Sequence, residues 1–328
     1  MKSLVTGGAG FMGSHLADYL LKMGHQVIVL DDLSGGFTEN VPSEAHFTEG
    51  TILDRDLIDS LCKEHNFDYI FHLAAYAAEG LSHFIKHFNY QNNLIGSVNL
   101  INAAVNYKVK RFIFTSSIAV YGVAQLPMTE EMVPSPEDSY GIAKFAVEME
   151  LRATAEMFGL DYVIFRPHNV YGERQNIGDK YRNVVGIFMN QILQGQPMTI
   201  FGDGEQSRAF SYIDDVVPVI ARSAAMDEAR NQIFNVGADK PYSVNQLAHQ
   251  VADAMDVEPN LGYLPARNEV AHAFSDHSKV ERVFNYSPEI DLEEGIRRVA
   301  AWIKQHGARQ SKEFGNIEIT ENLPPSWT

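Results

Sequence analysis

The stretch VTGGAGFMGS, residues 5–14, limits the fold more than any other part of the chain. Glycine so dense marks a backbone that turns sharply or is approached closely, because a residue without Cβ allows both. Gly8 to Gly13 satisfies the G-x-G-x-x-G spacing, and Gly7, Gly10 and Gly13 also recur three apart. A short apolar run from Lys2 precedes the turn. After it come a periodic stretch closed by Gly24 and a second apolar run ending at Asp31. Strand, glycine turn, helix, strand and terminal acid, in that order, are the parts of a βαβ unit that holds a dinucleotide. The pyrophosphate would sit at the helix N-terminus and the ribose on the carboxylate. An acid at Asp31 with no arginine beside it favours NAD over the 2′-phosphorylated form. The plainer alternative is a glycine-rich turn in a fold that has lost its ligand, and the ordered context weighs against it.

The alternation then repeats. Apolar strands are expected at 67–76, 111–122 and 161–172, and helices at about 84–107 and from Ser139 to Phe158, where Gly159 ends the pattern. Strands alternating with helices predict an α/β fold with a doubly wound parallel sheet. Ligands of such sheets bind beyond the carboxyl ends of the strands. There the sequence places Ala74 and Ala75, Ser116 and Ser117, and Pro167, His168 and Asn169. In the helix from Ser139, Tyr140 and Lys144 stand four apart and share one face. Taken alone, such a pair is more often a surface feature than a site.

Composition removes several classes. The net charge of −16, from 42 acidic and 26 basic residues without a Lys/Arg cluster, speaks against nucleic acid as a partner. An anionic ligand must then be gripped locally, against the overall field. The single cysteine, Cys62, excludes an intramolecular disulfide and a multi-cysteine zinc site. His83 and His87 have helical spacing but no acidic third partner, so no metal is expected. With no run of about 18 apolar residues and no apolar leader, no membrane partner is expected and the cytoplasm is the expected location.

Gly-x-x-Gly-x-x-Gly, HLAA, NNLIGSVNL with Asn93, TSSIAVYG and Tyr140-x-x-x-Lys144, in this order, resemble the extended short-chain dehydrogenase/reductase superfamily. The likeness is to its nucleotide-sugar epimerases and dehydratases, the UDP-glucose 4-epimerase kind above all. It continues through RPHNVYG, IFGDGEQSRAFSYIDDV and FSDHSKVERVFNYSPEIDLEEGIRRVAAWI, to about residue 304. The resemblance implies a Rossmann-type doubly wound parallel sheet with a smaller α/β C-terminal substrate domain. Residues 1–166 with about 208–236 would bind NAD, and about 167–207 with 237–304 the nucleotide sugar. The tail, 305–328, has no role assigned. Implied cofactor contacts are Gly7, Gly10, Phe11, Met12 and Gly13 at the first turn, and Asp31, Asp32, Leu33 and Ser34 after the second strand. Asp54, Leu73, Ala74, Ala75, Asn93, Ser116, Tyr140, Lys144 and Pro167 complete the set.

In enzymes of this kind the tyrosine takes a proton from a sugar hydroxyl while the carbon beneath gives hydride to NAD. By that likeness Tyr140 is base and acid, Lys144 tunes it, and Ser117 relays the proton, with Ser116 the nearby competitor. Bringing a phenol from about 10 to about 7 takes roughly 4 kcal/mol. An exposed ion pair supplies about 1 kcal/mol at most, so exclusion of water and the positive charge of the oxidised cofactor have to help.

Where the resemblance puts the extra acid of the 4,6-dehydratases and decarboxylases, or the cysteine of the GDP-mannose 3,5-epimerases, this chain has Ile118 and Ala119. Subtraction leaves 4-epimerisation, by transient oxidation at C4 and return of hydride to the other face. Open alternatives are a net dehydrogenase, another epimerase acting on GDP-mannose or UDP-glucuronate, and a non-catalytic NAD sensor. Implied contacts to a nucleotide-diphosphate sugar, UDP-sugar preferred, are Ser117, Tyr140, Asn169, Asn183, Arg208 and Arg267; two guanidinium groups suit one pyrophosphate. Ala273 is a small residue that would admit an N-acetyl group. Family likeness also implies a homodimer through a four-helix bundle of the helices near 84–107 and 140–158, with Phe84, Phe88, Leu94 and Leu100 on that surface or in the core.

Overall fold

A computed structural model describes residues 1–179, 181–266, 270–307, 315 and 317–324. Strands β1 (Lys2–Thr6), β2 (Gln26–Asp31), β3 (His46–Glu49), β4 (Tyr69–His72), β5 (Arg111–Thr115) and β6 (Asp161–Pro167) lie parallel in the order β3-β2-β1-β4-β5-β6. The chain then makes β7 (Val170–Tyr171), β8 (Met198–Phe201), β9 (Ser207–Ala209) and β10 (Ser211–Tyr212) before β11 (Gln232–Val236) returns to the large sheet beside β6. With β12 (Pro241–Ser243), β13 (Leu261–Leu264) and β14 (His272–Ala273), the short strands form the small sheets β12-β9-β14, β13-β8 and β10-β7.

The helices are α1 (Phe11–Lys22), α2 (Arg55–His65), α3 (Glu79–Ser82), α4 (Lys86–Tyr90), α5 (Gly96–Asn106) and α6 (Ser139–Phe158). The second half adds α7 (Val184–Leu193), α8 (Ile213–Ser223), α9 (Val244–Ala254), α10 (Ser278–Phe284) and α11 (Leu292–His306). On one face of the large sheet Leu4, Ile28, Ile70, Phe112 and Ile164 pack with Ile58 and Leu61 of α2, Leu100 of α5, and Val147 and Leu151 of α6. On the other, Val5, Val29, Phe71, Ile113 and Phe165 meet Leu16 and Leu20 of α1 and Val216 and Ile220 of α8. Burial on both faces is why these strands read as unbroken apolar runs. The second cluster continues into Leu247 and Val251 of α9 and Ile296, Val299 and Ile303 of α11. The later helices therefore close on the core of the first half. Deleting one of its large side chains, as in Phe71→Ala, would cost about 3–5 kcal/mol.

The doubly wound parallel sheet stands as expected, and α6 spans the residues read from its periodicity. The Asp138 side chain caps it through the Gly141 N–H at 2.8 Å, and Gly159, at φ 74°, ends it. The strands expected at 67–76, 111–122 and 161–172 stop earlier, at His72, Thr115 and Pro167, because the small and polar residues beyond them form the loops of the carboxyl edge. The helix expected at 84–107 is interrupted as well. Between α4 and α5 the residues Gln91–Ile95 form a wide π turn, and inside it Asn93 accepts the Tyr76 N–H at 2.8 Å and donates to the Tyr76 carbonyl at 3.0 Å. A wider turn aims a side chain where regular winding would not, and such turns gather at functional sites. Among the described residues no helix is long and apolar enough to cross a membrane.

Candidate active site

The turn after β1 is fixed by contacts that leave no room for a side chain. A Cβ on Gly7, where φ is 73°, would lie 2.7 Å from the Ala74 nitrogen, and one on Gly13 would lie 2.1 Å from the Gly7 oxygen. The loop after β1 therefore rests on the loop after β4, at the point where the strand order reverses and α/β sheets take their ligands. The first turn of α1, with Phe11, Met12 and Gly13, carries no acidic residue, so its amides present the positive end of the helix to an anion.

Asp31 closes the far side of this cradle. It is buried, and its two oxygens accept the N–H groups of Ala9 at 3.0 Å and Leu33 at 2.8 Å. Burial raises its carboxyl above the usual range while those amides pull it back. One amide on each oxygen leaves lone pairs for two ribose hydroxyls, so the residues present fit a dinucleotide. Asp32 accepts the Ser34 N–H at 2.9 Å and shapes the turn through Leu33, whose φ is 56°. The Leu73 and Ala74 amides bond the Thr6 carbonyl at 3.2 Å and the Thr6 hydroxyl at 3.3 Å. Ala75 follows them at this edge, and Pro167 ends β6. Asp54 supports the fold locally, capping α2 through the Leu57 N–H at 3.0 Å from an exposed position.

Tyr140, Lys144 and Glu148 occupy one face of α6 and are 6%, 2% and 2% exposed. The Lys144 ammonium donates to the Thr115 carbonyl at 2.8 Å and lies 4.7 Å over the Phe114 ring and 5.7 Å from the centre of the Tyr140 ring. Burial drives it down to about 7, with the Glu148 charge opposing. Tyr140 departs from the expectation of a lowered phenol. Burial and the charge of Glu79 push it up, and the Ser117 hydrogen bond only partly offsets them. The chain's own groups thus hold the phenol protonated.

The two serines after β5 divide their work. Ser116 donates to Glu148 at 2.6 Å, and Glu148 is paired with the buried Arg166, whose Nε stands 3.0 Å away. Ser116 is thereby engaged, while Ser117 accepts the Ala119 N–H at 3.1 Å and acts on the phenol to favour its ionised form. Glu148 and Arg166 escaped the sequence reading, although Glu148 stands four residues past Lys144 on the same helical face. Breaking such a buried pair costs about 3–5 kcal/mol. Arg182 escaped it too: it pairs with Asp179 at 2.7 Å, covers the Tyr76 ring at 4.8 Å, and lies 3.0 Å from where a Gly35 Cβ would be. No spacing in the sequence signals that reach. Ile118, where an extra acid would stand, is packed with Val120, Tyr121, Met128 and Ala273.

At the residues expected to meet the substrate, polar side chains lie on backbone carbonyls. Asn169, at φ 42°, donates to the Ala209 carbonyl at 3.1 Å, and Asn183, at φ 65°, to that of Val170 at 2.9 Å. Arg208 donates to the carbonyls of Ser207 at 2.8 Å and Ala271 at 3.0 Å, and to that of Val270. Ala273, its partner across β9 and β14, is buried against Ile118. Arg267 lies outside the described residues. Beneath this strip the His168 and His277 Nε2 atoms stand 3.1 Å apart, with His168 Nδ1 3.1 Å from the Ala209 carbonyl and His277 Nδ1 on the Asp239 carboxylate. A carbonyl only accepts, so His168 Nδ1 carries a proton. Burial drives His168 down to about 3, so its Nε2 carries no proton. Among the described residues no group of three or more His, Cys, Asp or Glu could hold a metal.

Residues 3–237 match the NAD dependent epimerase/dehydratase family. A putative UDP-glucose 4-epimerase of Methanocaldococcus jannaschii is 35% identical over 306 residues, 92% of this chain and 98% of that protein. The crystal structure of the Thermotoga maritima UDP-glucose 4-epimerase with UDP-glucose superposes with a TM-score of 0.89 at 36% identity, covering 93% of this chain and 99% of that one. The UDP-glucuronic acid 4-epimerase of Bacillus cereus, in complex with UDP-glucuronic acid and NAD, gives a TM-score of 0.85 at 29% identity, covering 93% and 100%.

Proposed function

The chain belongs to the NAD dependent epimerase/dehydratase family, and from that premise we propose that it is a UDP-sugar 4-epimerase of the UDP-glucose kind. That it is an NAD-dependent enzyme of nucleotide-sugar chemistry follows from the family; the position inverted and the sugar are our reading. One observation carries it. Ser117, Tyr140 and Lys144 are gathered at the carboxyl edge of β5, while the neighbouring positions that could supply a further acid hold Ile118 and Ala119, with Ile118 in an apolar cluster. Inversion at C4 needs no further acid.

When bound, NAD supplies an acceptor for the C4 hydride, from which the hydride returns to either face of the sugar. Gly7, Gly10, Phe11, Met12, Gly13 and Asp31 would hold its pyrophosphate and adenine ribose, and Tyr140, Lys144 and Pro167 would border the reactive end. Tyr140 takes the proton of the C4 hydroxyl, through Ser117, and gives it back after the ring has turned. In its protonated form, which burial disfavours above about 7 and a neighbouring phenolate would restore, Lys144 supplies positive charge from a dry position, where the attraction is worth several times its value at a wet surface. Ser116 and Glu148 hold the lysine side of the helix in place. Asn169, Asn183 and Arg208 would exchange their carbonyl partners for the nucleotide diphosphate.

A homodimer through α5 and α6 belongs to the same reading. Ile95, Ile142 and Met149 are exposed apolar residues on or beside these helices, as a bundle face requires. Proton NMR of the protein with UDP-glucose, UDP-galactose, their N-acetylated forms, UDP-glucuronate and GDP-mannose, without added coenzyme, tests the function. Growth of a C4 epimer supports it and identifies the sugar. Reduction of bound coenzyme with no inverted sugar would replace it by a net dehydrogenase. UDP-glucuronate as the sole substrate would move the reading to the chemistry of the B. cereus neighbour.

A further inference from the structure

Residues 317–323, outside the sequence resemblance, make specific contacts. The Glu318 carboxylate accepts the N–H groups of His87 at 2.7 Å and Phe88 at 2.8 Å, at the start of α4. The amides of Glu318 and Ile319 donate to the Phe84 carbonyl at 2.9 and 3.1 Å. Ile317 and Leu323 pack on Ala78, Leu81 and Ile85. Polar and apolar contacts alike fall on residues 78–88.

Those residues in turn hold the first turn of α6. The Tyr140 N–H donates to the buried Ser82 hydroxyl at 3.1 Å, and that hydroxyl reaches Asp138, the cap of α6, at 3.4 Å. Asn89 donates to the Ser139 carbonyl at 2.7 Å and accepts from Asn93 of the π turn at 2.7 Å. Glu79, one turn before Ser82, is the charged group that most raises the Tyr140 phenol. A continuous chain of hydrogen bonds and packing therefore runs from the tail to the tyrosine.

We propose that residues 317–323 form a strap that fixes segment 78–90 against α6, and that Glu318 is a positioning residue for Tyr140. The proposal rests on Tyr140 being the proton acceptor, as in the function proposed above. Without the strap the amides of His87 and Phe88 lose their acceptor, and the backbone carrying Ser82 and Glu79 loses the contacts that hold it. The phenol then sees a more distant Glu79 and more water, both of which favour its ionised form.

The test compares the full chain, a chain ending at Gly307, and Glu318→Gln, with a synthetic peptide of residues 308–328 added back to the shortened chain. Hydrogen exchange of the His87, Phe88 and Tyr140 amides should quicken about tenfold or more in both variants, and the peptide should slow it again. Turnover should fall roughly 10- to 100-fold in kcat, the range expected of a slightly misplaced catalytic group, with KM nearly unchanged and the pH profile displaced downward. Unchanged exchange, or pH profiles that superimpose, overturns the strap. If the shortened chain does not fold, Glu318→Gln decides alone. Should none of the sugars turn over, ultraviolet titration of the phenol, read against Tyr140→Phe, still decides: a lower midpoint in Glu318→Gln supports the strap and an unmoved one overturns it.

Discussion

The turn after β1 and the strip formed by β9 and β14 are built in opposite ways. At the turn, backbone meets backbone so closely that a Cβ on Gly13 would lie 2.1 Å from the Gly7 oxygen, and nothing there can rearrange cheaply. On the strip, Arg208 rests on the carbonyls of Ser207, Val270 and Ala271, partners that a phosphate can replace. The nucleotide cofactor would meet a finished surface, and the sugar nucleotide a surface whose hydrogen bonds must be traded. On that reading binding to the first would cost little ordering, and binding to the second would be adaptable and spend affinity on the exchange.

The largest expected effect separates chemistry from both surfaces. Tyr140→Phe should lower kcat by about 10²- to 10⁴-fold while leaving retained NAD and the KM for sugar nucleotide unchanged; NAD loss measured by absorbance after denaturation would show that the tyrosine also belongs to the binding turn. Next comes a pH effect on stability. Lys144 is held down to about 7 by burial, so between that value and its ordinary one the unfolded chain carries a proton that the folded chain lacks, and folding stability rises with pH across the window. The rise should amount to several kcal/mol in denaturant titrations and should vanish in Lys144→Met; a rise that persists there places its cause elsewhere.

Gly13→Ala should cost about 1–3 kcal/mol by overpacking and abolish NAD retention, measured by melting and coenzyme content. Parent-like values for both would mean the turn is as yielding as the strip. The smallest effect belongs to the strip itself. Arg208→Ala should raise KM about tenfold or somewhat more, the worth of one charge-assisted hydrogen bond, with kcat and NAD retention unchanged. A fall in kcat instead would show that the strip takes part in setting the sugar against Tyr140.

The same contrast governs what the sequence made legible. The βαβ unit, Asp31 and α6 could be read because each rests on local rules: glycine spacing, strand ends and helical periodicity. The cap formed by Asp54 was open to a local rule as well, since an aspartate just before a helix is a preferred cap. Glu148 was within reach of the i, i+4 rule. Arg182, Ser82 and the His168–His277–Asp239 chain were out of reach, because they join segments 38 to 147 residues apart: His277 lies 38 from Asp239 and 109 from His168, and Arg182 lies 147 from Gly35. Only the folded chain brings such partners together. The direction in which Tyr140 is pushed was also beyond the sequence, since it depends on how dry the site is and on where Glu79 sits.

Helix α6 carries Tyr140, Lys144 and Glu148 on one unbroken rod, fastened by Asp138 at its start and released at Gly159. A rod of this kind translates and tilts as one piece, so phenol, ammonium and carboxylate keep their spacing. If one face of a sugar is to be exchanged for the other, the motion must then come from the ring. On the proposed reading, the ceiling on inversion would be the rate at which a loosened keto ring turns over beside that rod, and solvent viscosity would leave it largely untouched.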